Sequence, residues 1–184
     1  NNSSGGAGVC GQVRVRAIKC FSAGGTGGTA DEISSIQYAT LMGAQVISAS
    51  WGGYGYSQAL KDVIDAAGAA NIVFVAAAGN SATDDDVIPF YPVCYTSPNI
   101  VAVMSTDHND VRSSFSCYGL TSVDLAAPGS DILSCAPTNG YQLMSGTSMA
   151  TPHVAGACAL LLSANPARRV ADIKQALLAT VDPV

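Results

Sequence analysis

The chemistry in this chain is concentrated at residues 145–156, SGTSMATPHVAG. Gly146 lets the backbone turn tightly before a helix, and Ser148 falls in that helix's first turn. The N–H groups there have no helical partners, and the positive end of the helix dipole lies beside them. A hydroxyl in that place suits a nucleophile. Taken alone, a serine at a helix start is better explained as a cap. Pro152 is tolerable because it stands near the helix start. A second candidate is Asn80, in Ala76-Ala77-Ala78-Gly79-Asn80 after an apolar run. A side-chain amide at the C-terminal edge of a parallel sheet can donate to a developing oxyanion. Taken alone, Gly79-Asn80 is better read as a turn.

A serine nucleophile also needs a base, and the chain holds two histidines. His153 stands five positions after Ser148 on the same helix, roughly 140° around and ~7.5 Å along it. It cannot accept the Ser148 proton and reads as structural. His108, in the polar turn Thr106-Asp107-His108-Asn109-Asp110, reads as a solvated surface residue. Lys19, Lys61 and Lys174 raise a serine–lysine pair on paper, but none has a motif around it.

The string 145–156 resembles the nucleophile motif of the subtilisin family, the subtilases, almost letter for letter. The likeness extends over nearly the whole chain, including Arg112-Ser113-Ser114-Phe115-Ser116 and Asp124-Leu125-Ala126-Ala127-Pro128-Gly129. It implies a three-layer subtilisin-like α/β fold with a mainly parallel central sheet flanked by helices. It also implies a serine endopeptidase in which Ser148 attacks and Asn80 serves the oxyanion. Ser50-Trp51-Gly52 matches the family's substrate-binding edge and Gly25-Thr26-Gly27 the facing edge. An extended polypeptide would add as a strand between them.

Ala78 and Gly79 would wall the pocket for the P1 side chain, the one before the scissile bond. Their small size implies room for a fairly large apolar residue. Trp51, bulkier than the residue often found there, would reshape a neighbouring subsite. The family's Asp and His segments do not occur in the chain, so the resemblance puts them upstream of Asn1. They would lie in the same protein or on a separate segment, and the isolated chain would be inactive. The alternative is a catalytically silent relative kept as a structural or peptide-binding module. No cofactor is implied for the chemistry. A structural calcium is allowed, because Asn2 falls where many relatives have a calcium-ligand asparagine. Relatives with disulfides between comparable regions imply a Cys94–Cys117 bridge.

The elements that must position these residues alternate along the first half. A β-rich stretch over 12–20 predicts a strand, then a Gly/Thr loop over 23–29, then a helix over 31–43 closed by Gly43. A strand over 46–50, a helix over 57–70 and the apolar strand 72–77 follow. Such units suit right-handed crossovers and a parallel sheet. The second half adds a strand over 100–105, β segments near 112–115 and 123–126, and helices over 148–163 and 170–179. With no internal repeat and no linker, one domain fits, and the resemblance makes 1–184 the C-terminal part of a single subtilisin-like peptidase domain.

Composition bounds the rest. Of 184 residues, 48% are hydrophobic and 11% charged, against about 25% charged in ordinary soluble domains. That is a compact α/β body, long enough for a substantial core. The net charge is −5, with no Lys/Arg cluster beyond Arg168-Arg169, so a nucleic-acid footprint is absent. No apolar run reaches the ~20 residues of a membrane span. Six widely spaced cysteines without a C-x-x-C argue against zinc. With the overlapping sequons at Asn1 and Asn2 they favour a secreted protein. Cys158, on a core helix, reads as a buried free thiol.

Overall fold

The computed structural model describes residues 6–182, so Asn1, Asn2 and their sequons lie outside the described residues. Strand β2 (Val73–Ala77) is apolar at every position, as befits a strand covered on both faces. It pairs in parallel with β1 (Val46–Ala49) on one side and β3 (Ile100–Thr106) on the other. β3 pairs in parallel with β4 (Leu125–Pro128), giving the order β1-β2-β3-β4.

Alternation along the strands divides the core in two. Phe74, Ala76, Ile100 and Ala102 face helices α1 (Thr29–Leu41) and α2 (Gln58–Ala69), meeting Ile36, Leu60 and Ile64. Val73, Val75, Val101 and Val103 face α3 (Thr147–Ala164) and α4 (Val170–Leu178), meeting Val154, Cys158 and Ile173. The result is the three-layer α/β architecture expected, and α3 crosses all four strands.

Polar ties fasten the layers. Ser57 caps α2, its Oγ accepting from Leu60 N. Buried Asn99 donates to Ile64 O and Ile72 O, clamping α2 to the sheet. Lys174 of α4 donates to Ile100 O and pairs with Asp124 at 2.8 Å.

Some expectations need correction. Residues 12–20 form no strand, and Val13 and Val15 are exposed. Alternation gives a segment two faces, but a ladder needs a neighbour to pair with, and the four-stranded sheet ends at β1. Around 112–115 there is a single bridge, Thr106 to Arg112, not a strand. An antiparallel hairpin, β5 (Ile132–Ala136) with β6 (Gly140–Met144), stands where no element was expected. Cys94 and Cys117 are not bonded to each other. Cys94 Sγ accepts from Phe90 N, whereas buried Cys117 Sγ accepts from Ser81 N. Cys158 is a buried free thiol, its pKa pushed up to about 12 by desolvation.

Candidate active site

Three segments distant in sequence meet at the start of α3. Gly146 is the N-cap residue and makes no side-chain cap bond, so Ser148 is not a cap. Ser148 Oγ instead donates to Ser50 O at 3.2 Å, and Ser50 Oγ donates back to Ser148 O at 2.9 Å. Pro152 explains the second bond. It stands beyond the first turn and lacks the N–H that would reach the carbonyl of Ser148, four residues earlier. That carbonyl is free for Ser50. The flanking carbonyls also take side-chain donors: Thr151 Oγ1 donates to Thr147 O, and His153 Nδ1 to Met149 O at 2.8 Å. His153 is thus held along its own helix, turned to a structural bond.

Asn80 is oriented by Thr147. Its Oδ1 accepts from Thr147 N at 2.9 Å and from Thr147 Oγ1 at 3.0 Å. Thr147 Oγ1 in turn accepts from Gly79 N at 3.2 Å. With Oδ1 so engaged, Nδ2 is the end of the amide left to donate. A side chain at Gly146 would lie 3.6 Å from both Asn80 Nδ2 and Ser148 N. The glycine thus leaves open a space flanked by two N–H donors. Gly79 has φ 112°, in the left-handed region that favours glycine.

Around this centre, Ala78 is fully buried beside exposed Asn80. Trp51 is half-buried. Its indole packs edge-to-face on Phe74, ring centres 6.2 Å apart, and is anchored in the α1–α2 layer. Gly52 is exposed, and its Cα backs onto Phe90. Gly25 and Thr26 close a turn over 22–26, in which Ser22 N donates to Thr26 O at 2.8 Å, and Gly27 follows it. The turn borders an open cavity of about 460 Å³ with Lys19 and Asp31 on its rim. It lies before α1, the helix that precedes β1 and Ser50 in the chain.

Two of the three lysines and His108 are engaged elsewhere. Lys61 pairs with Asp65 at 2.7 Å, Lys174 with Asp124, and His108 contacts Asn109 in an exposed turn. No three His, Cys, Asp or Glu side chains gather as a metal site among the described residues. No helix among them is long and apolar enough to cross a membrane. Sequence reasoning gave no role to Thr147, which lies inside the quoted motif, or to Phe90, which no motif marks.

Comparison with known proteins identifies the family. The family model of the subtilases (Peptidase_S8) matches residues 1–183. Thermitase of Thermoactinomyces vulgaris is 43% identical over 184 residues, all of this chain and 63% of thermitase. Subtilisin DY of Bacillus licheniformis is 41% identical over 181 residues, 98% of this chain and 65% of that protein. The chain therefore spans just under two thirds of these relatives. The crystal structure of a cold-adapted subtilisin-like serine proteinase superposes with a TM-score of 0.80 at 39% identity. That match covers 88% of this chain and 57% of the other. The chain belongs to the subtilase family.

Proposed function

We propose that the chain is the nucleophile-bearing part of a serine endopeptidase domain acting on extended polypeptides. The observation that carries this reading is the junction of Ser148, Asn80 and Ser50, with the Asn80 Oδ1 held by Thr147 so that Nδ2 is left to donate. Ser148 Oγ attacks the scissile carbonyl. Its proton goes to a histidine contributed from outside this chain, because His153 and His108 are otherwise disposed. That histidine, oriented by the domain's Asp, then protonates the leaving amine. Asn80 Nδ2 and Ser148 N stabilise the oxyanion. Water hydrolyses the acyl-enzyme by the same route in reverse.

No cofactor enters this chemistry. The substrate backbone pairs between Gly25-Thr26-Gly27 and Ser50-Trp51-Gly52, with Ala78 and Gly79 beside the P1 residue. Secretion belongs to the same reading. Without its base the chain alone keeps the residual ~10³–10⁴-fold over water that binding and the oxyanion hole provide, a magnitude measured on subtilisin, a relative. The test is a fluorophosphonate probe on the full-length protein and its Ser148→Ala variant. Labelling of the parent alone is expected. Equal labelling of both overturns Ser148 as nucleophile, and labelling of neither supports a silent peptide-binding module.

A further inference from the structure

The side chain that limits the cleft comes from neither of its edges. Phe90 lies in the irregular connection between β2 and β3. A Cβ on Gly52 would run into Phe90 Cε1 and Cζ and the Tyr91 carbonyl oxygen. A Cβ on Gly79 would lie 3.3 Å from Phe90 Cδ1 and 3.4 Å from Cε1. Carbon atoms pack at about 3.5–4.0 Å, so one ring edge fills the space between the two glycines.

The ring is braced. Tyr54 meets it edge-to-face at 5.3 Å, and the Tyr54 hydroxyl donates to Ser81 Oγ at 2.8 Å. Tyr91, the next residue, exchanges two backbone bonds of 2.8 Å with Gly53. The backbone carrying Phe90 is therefore stitched to the Ser50–Gly53 edge.

We propose that Phe90 occludes the P1 pocket and restricts the protease to glycine or alanine before the scissile bond. This rests on the reading of Ser148 as nucleophile. A carbonyl placed against Ser148 and Asn80 directs its residue's side chain between the segments that follow β1 and β2. Gly52 and Gly79 back onto that space, and the Phe90 ring is already in it. The expectation of a roomy pocket is thereby reversed: small walls here accommodate a resident aromatic rather than a substrate side chain.

The experiment compares full-length protein with its Phe90→Ala and Phe90→Leu variants on two peptides differing only in Ala or Phe at P1. The parent should favour the Ala peptide in kcat/KM by at least the roughly 10–200-fold that a single methylene commands in an apolar pocket. Phe90→Ala should lower that ratio at least tenfold, and Phe90→Leu, which keeps more of the packing on Tyr54, should fall between. Parent protein that cleaves the Phe peptide as well as the Ala peptide overturns the proposal. So does an unchanged ratio in both variants. If Ser148 is labelled by fluorophosphonate in either case, the protease reading stands and Phe90 alone is misassigned. Absence of labelling together with absence of cleavage overturns both.

Discussion

Thr147 touches no substrate in the proposed reaction, yet its hydroxyl accepts from Gly79 N and donates to Asn80 Oδ1. It is fully buried, so a lost partner is not replaced by water. Replacing it with isosteric valine should cost about 1–3 kcal/mol in urea denaturation and lower kcat more than it raises KM. Thr147→Ser should restore most of both. Asn80→Ala should lower kcat about 10²–10³-fold with little change in KM, a range measured on subtilisin itself. Asp85 offers a pH handle. It is buried, with no N–H or O–H donor to its carboxyl oxygens among the described residues and only the Cys117 thiol beside it. Burial, aided by the charge of Asp84 and opposed by the Cys117 thiol, raises its pKa from 3.8 to about 7. The folded state therefore holds this proton more tightly than the unfolded state. Stability from this group is full below about pH 4 and is lost as pH rises through about 7. Asp85→Asn should flatten that part of the stability–pH profile, with at most a few kcal/mol gained above pH 7 by thermal denaturation. An unchanged profile would mean that the group titrates normally. Ser148 and Asn80 could be nominated from the sequence because their motifs are linear. Phe90 could not, since its meaning depends on Gly52 and Gly79, which only the fold brings to it.

At the level of elements, apolar runs and caps were readable while pairing was not. The run at 72–77 became β2, and Ser57 and Gly43 mark helix ends close to where the sequence puts them. The segment 12–20 has the alternation of a strand without a ladder. The hairpin β5–β6 turns through the three residues Pro137–Asn139, a connection ended by a left-handed residue. Asn139 takes φ 60°, as such turns require. A local rule can also be reversed by packing. Gly68 lies inside α2, where alanine would ordinarily add about 1 kcal/mol. A Cβ there would fall 2.7 Å from Asn99 Cγ, and Asn99 cannot retreat because it is bonded to Ile64 O and Ile72 O. Gly68→Ala should therefore destabilise, by about 1–3 kcal/mol as overpacking does. A rise in melting temperature would show that the Asn99 clamp yields.

Across the whole molecule, the candidate site depends on two apolar layers that share one sheet. β2 sends Phe74 and Ala76 to the α1–α2 side and Val73 and Val75 to the α3–α4 side. Ser50 follows β1, Asn80 follows β2, and Ser148 opens α3, so the site spans a strand–strand register and a helix laid across it. Its geometry holds only while both layers hold. The layers should then unfold together, because a strand paired on both sides cannot lose one face and keep its ladder. Ile173 of α4 tests this from the far side, being buried at 1% exposure in the layer opposite α2. Ile173→Ala should cost about 2–5 kcal/mol through the cavity it leaves. Native-state hydrogen exchange on the full-length protein reads where that loss is felt. If the sheet couples the layers, the protected amides of α2 lose the same free energy as those of α3. Loss confined to α3 and α4 would make the layers separate cooperative units. In that case the Asn80 end of the site would outlast the Ser148 end.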